Sequence, residues 1–203
     1  MAYPKHAKAL ARARADLKAG VKEEPLGSNT GRRVREMQAH TWLGGTRWPW
    51  CAAAVVTWAE EAGFTLPYQG AGAYAWLDWA KKAGWTCTPA QAIPGDFVVF
   101  NIGAGHIAML ELPVEGGNVQ TIDGNSSDRV KRNVRGIASV RGIVHLPEKP
   151  TYLPPAKAPK FEVVTSENGH RVIYVSTASR VGKKLAQILG KHPSVTIRRR
   201  RKQ

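Results

Sequence analysis

The feature that most constrains this chain is a change of periodicity at Pro94-Gly95. Before that point, runs of helix-forming residues end at glycines. Residues 5–20 close at Gly20, Cys51–Ala62 precede Gly63, and Ala73–Ala83 precede Gly84. A glycine just past a helix accepts the left-handed conformation that terminates it. A further helix is expected over Gly31–Leu43, with Ser28 or Asn29 as its cap and Gly44-Gly45 as its end. After Pro94-Gly95 the runs are short, β-branched or apolar, and separated by turn residues: Phe97–Phe100, His106–Leu112, Val119–Ile122, Asp128–Val134 and Gly142–Leu146. Helices first and an antiparallel sheet second make an α+β fold. The first helix is basic and its apolar positions are mostly alanine, so a weak contribution to the core is expected from it.

Charge divides the chain a second time. Up to Glu148 there are 17 Lys and Arg against 13 Asp and Glu; from Lys149 onward there are 13 against 2. Most of the formal +15 therefore lies in the last quarter, a field suited to polyanions such as nucleic acid, anionic lipid or anionic wall polymers. Residues 149–160 carry Pro150, Pro154, Pro155 and Pro159 and read as a semi-rigid linker. Residues 161–203 read as a small basic ββα-like unit: a hairpin of Phe161–Thr165 and Arg171–Ser176 about Asn168-Gly169, a helix over Ala178–Leu189, then the tail Arg198–Lys202. The expected divisions are thus residues 1–20, a basic helix; 21–148, the main domain; 149–160, the linker; and 161–203, the basic module.

Several classes are excluded. A hydrophobic content of 43% argues against global disorder. No apolar run reaches transmembrane length, and the first twenty residues lack the apolar centre of a secretory signal. Cys51 and Cys87 sit in unlike contexts, a helix start and a turn-like Thr86-Cys87-Thr88-Pro89, and are read as free thiols. His40, His145, His170 and His192 show no metal-ligand spacing. No metal and no cofactor are expected.

Cys51 would open a buried helix, where unpaired N–H groups and the helix dipole favour negative charge on sulfur and offer donors to an oxyanion. A thiol nucleophile needs a base. His106, following Gly103-Ala104-Gly105, is the best candidate, the small residues leaving room for substrate beside the ring. Asp123 and Asn125, at the end of a neighbouring strand, are candidates to orient the imidazole. Taken singly, each has a plainer reading: Cys51 as a small core residue, His106 as a satisfied histidine, Asp123-Gly124-Asn125 as a turn.

Order and context favour the chemical reading. Trp48-Pro49-Trp50-Cys51-Ala52-Ala53-Ala54-Val55-Val56-Thr57-Trp58, Pro94-Gly95-Asp96-Phe97-Val98-Val99-Phe100, Gly105-His106-Ile107-Ala108-Met109-Leu110 and Thr121-Ile122-Asp123-Gly124-Asn125 together resemble the cysteine, histidine-dependent amidohydrolase/peptidase (CHAP) family, with Glu24-Pro25 and Gly27-Ser28-Asn29 similar to its opening segment. The resemblance spans roughly residues 20–147. It implies a papain-like domain, Cys51 as nucleophile, His106 as base, and Asp123 with Asn125 as polar partners, Asp123 standing where the family often has Glu. Some members carry an acidic calcium loop before the cysteine; residues 44–50 here have no carboxylate, so calcium is not expected there. Trp48, Trp50 and Gly105 are the expected substrate contacts, Trp50 the favoured groove wall. Tyr74, Trp76 and Trp79 are further groove candidates, with core packing the stronger reading for any one.

The function so implied is peptidoglycan hydrolysis in the manner of a phage endolysin, cutting an amide through a thioester acyl-enzyme, either as an N-acetylmuramoyl-L-alanine amidase or as an endopeptidase. The basic C-terminus would hold anionic wall polymers, with no obligate nucleic acid and a monomeric state. The protein would wait in the host cytoplasm until a holin releases it. The rival reading is a non-catalytic basic protein that binds wall or nucleic acid, with an inert papain-like domain.

Overall fold

A computed structural model describes residues 3–149 and, beyond them, the short strands of 162–165, 171–174 and 195–198. Contacts divide the chain into two compact units, Met1–Thr151 and Tyr152–Gln203.

The first unit is α+β, as the sequence predicts. Helices α1 (Pro4–Lys18), α2 (Arg32–Ala39), α3 (Cys51–Glu61) and α4 (Ala73–Ala83) precede an antiparallel sheet. Its strands are β1 (Thr86–Cys87), β2 (Phe97–Phe100), β3 (His106–Leu110), β4 (Asn118–Asp123), β5 (Lys131–Gly136) and β6 (Val140–Val144), in spatial order β1-β6-β2-β3-β4-β5. The helix ends fall where the glycines placed them. Gly84 closes α4 at φ 70°, and Gly63 follows α3 at φ 92°.

Helix α3 is the centre of the unit. From Cys51 to Ala59 every residue is buried, and α1, α2 and β3 all pack on it. The run Ala52-Ala53-Ala54 lets those elements approach closely, and Trp58 fills the space beyond. Strand alternation then sorts the sheet. Phe97, Val99, Ile107, Met109 and Ile122 join the helices in the main core. Val98, Phe100, Ala108, Leu110 and Val119 form a smaller cluster on the opposite face. This explains why Phe97–Phe100 reads as unbroken apolar sequence: both of its faces are buried.

Four expectations change. Helix α1 is a core element: Ala9, Leu10 and Ala13 are buried, because alanine suits a close helix–helix approach to α3. Helix α2 ends at Ala39, four residues early, and has no side-chain cap from Ser28 or Asn29; Ser28 Oγ instead donates to Pro25 O at 2.5 Å and the Asn29 N–H to Glu23 Oε2 at 2.7 Å. Thr86-Cys87 is not a turn but a strand paired with β6. The strand expected at Asp128 begins at Lys131, since Ser127 and Asp128 take positive φ and Val130 N–H bonds to Val21 O.

In the second unit, β7 (Glu162–Thr165) and β8 (Arg171–Tyr174) pair antiparallel as expected. A third strand, β9 (Val195–Arg198), lies parallel to β8 and adds to the expected hairpin; Arg198 belongs to this strand rather than to a tail. The Pro-rich linker, the Asn168-Gly169 turn and the Ala178–Leu189 helix lie outside the described residues. Among the described residues no helix is long and apolar enough to cross a membrane.

Candidate active site

Cys51 is the first residue of α3, with Trp50 before it as the N-cap. The first intrahelical bond comes from Ala54 N–H to Trp50 O, so the N–H groups of Cys51, Ala52 and Ala53 have no acceptor within the helix. Their positive end lies at the sulfur. Cys51 is 7% exposed and, like Cys87, is a free thiol.

His106 is the first residue of β3, opposite Phe100 across the β2–β3 hairpin. Its Nε2 donates to Asp123 Oδ2 at 2.8 Å, which leaves Nδ1 for the sulfur. Burial works against a charge on this ring. The hydrogen bond that the ring donates to Asp123, together with the neighbouring Cys51, outweighs it, and the pKa is pushed up from 6.5 to about 9. The imidazole is therefore charged at neutral pH.

Asp123 ends β4, fully buried. Burial alone would raise its pKa, but its donors reverse the sign, and the carboxyl sits below its ordinary value. Besides His106, these donors are Arg135 Nη2 at 2.6 Å to Oδ2 and Thr121 Oγ1 at 2.5 Å to Oδ1. Arg135 comes from β5, where it pairs opposite Val119. It reaches along β4 to both Thr121 and Asp123, with its guanidinium 4.7 Å from the Phe100 ring centroid. The hydrogen bonds thus run Arg135–Asp123–His106, each group restraining the next, and the ring's charge is felt by the nearby Cys51.

Asn125 does not reach the imidazole. The strand stops at Asp123, and Asn125 takes φ 54°, so the two-residue alternation that would place both on one side is broken. In the amide orientation that satisfies both ends, Asn125 donates to Glu23 Oε1 at 3.1 Å and accepts the Trp50 N–H at 3.2 Å. Gly124 between them passes so close to α3 that a Cβ there would lie 2.4 Å from that of Ala54 and 3.1 Å from the Trp50 ring.

The expected substrate contacts fare unevenly. Trp50 is fully buried and cannot be a groove wall; its Nε1 donates to Glu23 Oε1 at 2.9 Å. Trp76 is likewise core. The absent side chain of Gly105 makes room for Tyr74 rather than for substrate: a Cβ there would meet the Tyr74 ring at 2.9 Å. Trp48 is partly exposed, its Nε1 bonded to Gly44 O. Trp79 is partly exposed as well, stacked on Tyr68. Tyr74 is half-buried, donates to Asn101 Oδ1 at 3.0 Å and carries the Arg141 guanidinium 4.2 Å from its ring centroid.

Two residues of the site escaped the sequence reading. Glu23 is 1% exposed and gathers the Asn29 N–H, the Trp50 indole and Asn125 around one carboxylate. A Glu next to the Glu24-Pro25 motif was its only signal. Arg135 had none, as one of several basic residues in a half-exposed strand.

No curated protein and no solved structure gives a significant match to this chain. The model of the CHAP domain family matches residues 42–125, a segment that runs from just before α3 through His106 to the Asp123-Gly124-Asn125 turn. Domains of this family are in general cysteine- and histidine-dependent amidohydrolases or peptidases that act on peptidoglycan. The helix-borne cysteine, the strand-borne histidine and the antiparallel sheet that carries it fit a papain-like α+β fold, and the segment from residue 42 to 125 is similar to a CHAP domain.

Proposed function

We propose that this chain is a peptidoglycan hydrolase of the phage endolysin type, with Cys51 as nucleophile, His106 as acid and base, and Asp123 as the group that orients the ring. One observation carries the reading: the His106 imidazole is held by Asp123 at 2.8 Å while its field includes the Cys51 sulfur at the start of α3.

The chemistry follows from those positions. The sulfur adds to an amide carbonyl of the peptide stem or cross-bridge, and the carbonyl electron pair moves to oxygen. The free N–H groups of the first turn of α3 are placed to receive that oxyanion. His106, protonated, gives its proton to the leaving amine as the C–N bond breaks and a thioester forms. Water then attacks the thioester, His106 taking its proton, and the thiolate leaves. Asp123, pinned by Arg135 and Thr121, keeps the ring in one orientation and offsets its charge.

The amide is that of an N-acetylmuramoyl-L-alanine link or of a peptide bond in the stem or bridge. The basic C-terminal unit suits adhesion to anionic wall polymers, and release from the host cytoplasm through a holin completes the proposed life of the protein. The test is turbidity loss and fragment masses on purified peptidoglycan, with wild type beside Cys51→Ser. Clearing by wild type alone, with new amine and carboxyl ends in the fragments, is the expected result. Inactivity of wild type on walls of several chemotypes would remove the lysin reading and leave the binding-protein alternative.

A further inference from the structure

Away from Cys51, three side chains from distant parts of the sequence converge. His6 lies in the first turn of α1, Asp96 immediately before β2, and His145 immediately after β6. One ligand atom from each lies within 4.8 Å of the other two. His6 Nε2 is 3.2 Å from Asp96 Oδ1, and His145 Nδ1 is 2.9 Å from the same oxygen. His6 and Asp96 are essentially sealed from solvent, at 1% and 0% exposed.

The opposite edge of His6 is already committed. Its Nδ1 lies 2.9 Å from Glu148 Oε1, an oxygen that also accepts the Lys5 and His6 backbone N–H groups. In the tautomer with its proton on Nδ1, the buried Nε2 turns a lone pair toward the Asp96 carboxylate oxygen 3.2 Å away, and the two make no well-aligned hydrogen bond. Two buried acceptors facing each other are costly unless something positive lies between them. Asp96 Oδ2 is turned elsewhere, accepting the Ile93 N–H at 2.9 Å with Cys87 Sγ 3.8 Å away. Oδ1 is thus free for the two imidazoles.

The spacing is that of a coordination shell. Ligands about 2.0–2.1 Å from a tetrahedral ion are separated by about 3.3 Å; the two nitrogen–oxygen edges here are 3.2 and 2.9 Å. Two imidazoles and one carboxylate are a donor set that zinc accepts, leaving a fourth position for water. Glu148 stands where an outer carboxylate fixes the tautomer of a metal-bound histidine. Tyr3 packs edge-on against both imidazoles and Phe64 against His6, giving the cluster an apolar rim.

We propose that His6, Asp96 and His145 bind a divalent cation of zinc type, with Glu148 orienting His6. The ion clamps the start of α1 to the sheet ends at β2 and β6. Its role is structural and separate from the thiol chemistry, so the inference stands whether or not the chain cuts peptidoglycan.

The test uses the full chain carrying Cys51→Ser and Cys87→Ser, so that neither thiol competes, stripped with chelator and titrated with zinc sulfate in a calorimeter. One equivalent should bind and raise the Tm. His145→Gln should weaken binding by more than about tenfold, and Glu148→Gln by about tenfold, the size expected for an outer partner. Nitrogen NMR of the imidazoles reads the cluster without altering it: zinc should shift His6 Nε2 and His145 Nδ1 and leave His106 unmoved. Absence of a bound equivalent, binding unchanged in His145→Gln, or shifts confined to His106 would each overturn the proposal.

Discussion

At the scale of single residues, the decisive group is Asp123. It accepts from His106, Arg135 and Thr121 in a site without solvent, and it is the main reason, after burial is offset, that the His106 pKa reaches about 9. The sign has consequences. A ring whose pKa is raised on folding contributes stability in full below its ordinary 6.5, and loses that contribution as pH rises through about 9. On the proposed mechanism the same protonated ring serves the leaving amine, so kcat/KM should fall on the alkaline side as pH passes about 9. In Asp123→Asn the ring loses its carboxylate acceptor while the side-chain shape is kept. Its rate should drop by a factor on the order of 10² to 10⁴, and the alkaline limb of the remaining activity should move to lower pH. A pH–rate profile measures both. A variant with full activity and an unmoved limb would show that Asp123 does not act on the ring. Cys51, His106 and Asp123 were legible because short motifs surround them; the choice between Asp123 and Asn125 was not, since it depends on where β4 stops.

At the scale of elements, the site exists because a turn is pressed against the start of a helix. The Asp123-Gly124-Asn125 turn lies on α3 with no space for a Cβ at Gly124, and Glu23 fastens Trp50 and Asn125 at the same place. Gly124→Ala should therefore push the turn off the helix. The expected cost is about 1–3 kcal/mol, typical of an overpacked core, with a fall in activity as Asp123 moves from His106. Removing the opposing methyl tests the cause: Gly124→Ala with Ala54→Gly should regain activity, although glycine inside α3 costs about 1 kcal/mol of helix stability. Melting temperature and wall clearing together distinguish this from general damage, because the double variant recovers one more than the other. Elements bounded by glycine were legible, α4 to the residue and α3 to within one residue at its end. Strand β1 was not, because a two-residue strand has no period of its own and exists only by pairing with Ile143 and Val144. Nor was the role of α1: alanines look like weak core residues until a partner helix lies close enough to use their smallness. Arg135 and the His6–Asp96–His145 group were hidden for a related reason, since contacts between residues dozens of positions apart leave no spacing in the sequence.

At the scale of the whole molecule, the chain divides into two units of unlike charge. The first has its own core and holds the thiol site, with nearly balanced charge up to Glu148. The second, Tyr152–Gln203, carries 12 Lys and Arg against 2 Asp and Glu, and its described part is a three-stranded sheet. A charge of that density acts over about a Debye length, roughly 8–10 Å near physiological salt, and weakens as salt rises. On the proposed reading it raises the local concentration of substrate around the hydrolytic unit rather than taking part in bond cleavage. Truncation after Lys149 should then leave hydrolysis of soluble muropeptides unchanged while sedimentation with intact walls falls. Binding of the full chain to walls should weaken between 0.05 and 0.5 M salt, roughly the range over which the screening length shrinks severalfold, and the truncated form should show little of that dependence. Walls stripped of anionic polymers separate the remaining possibilities: loss of binding to them assigns the basic unit to those polymers, and retained binding assigns it to peptidoglycan itself. Equal wall binding by the full and truncated chains would sink the division of labour and return the whole of recognition to the CHAP domain.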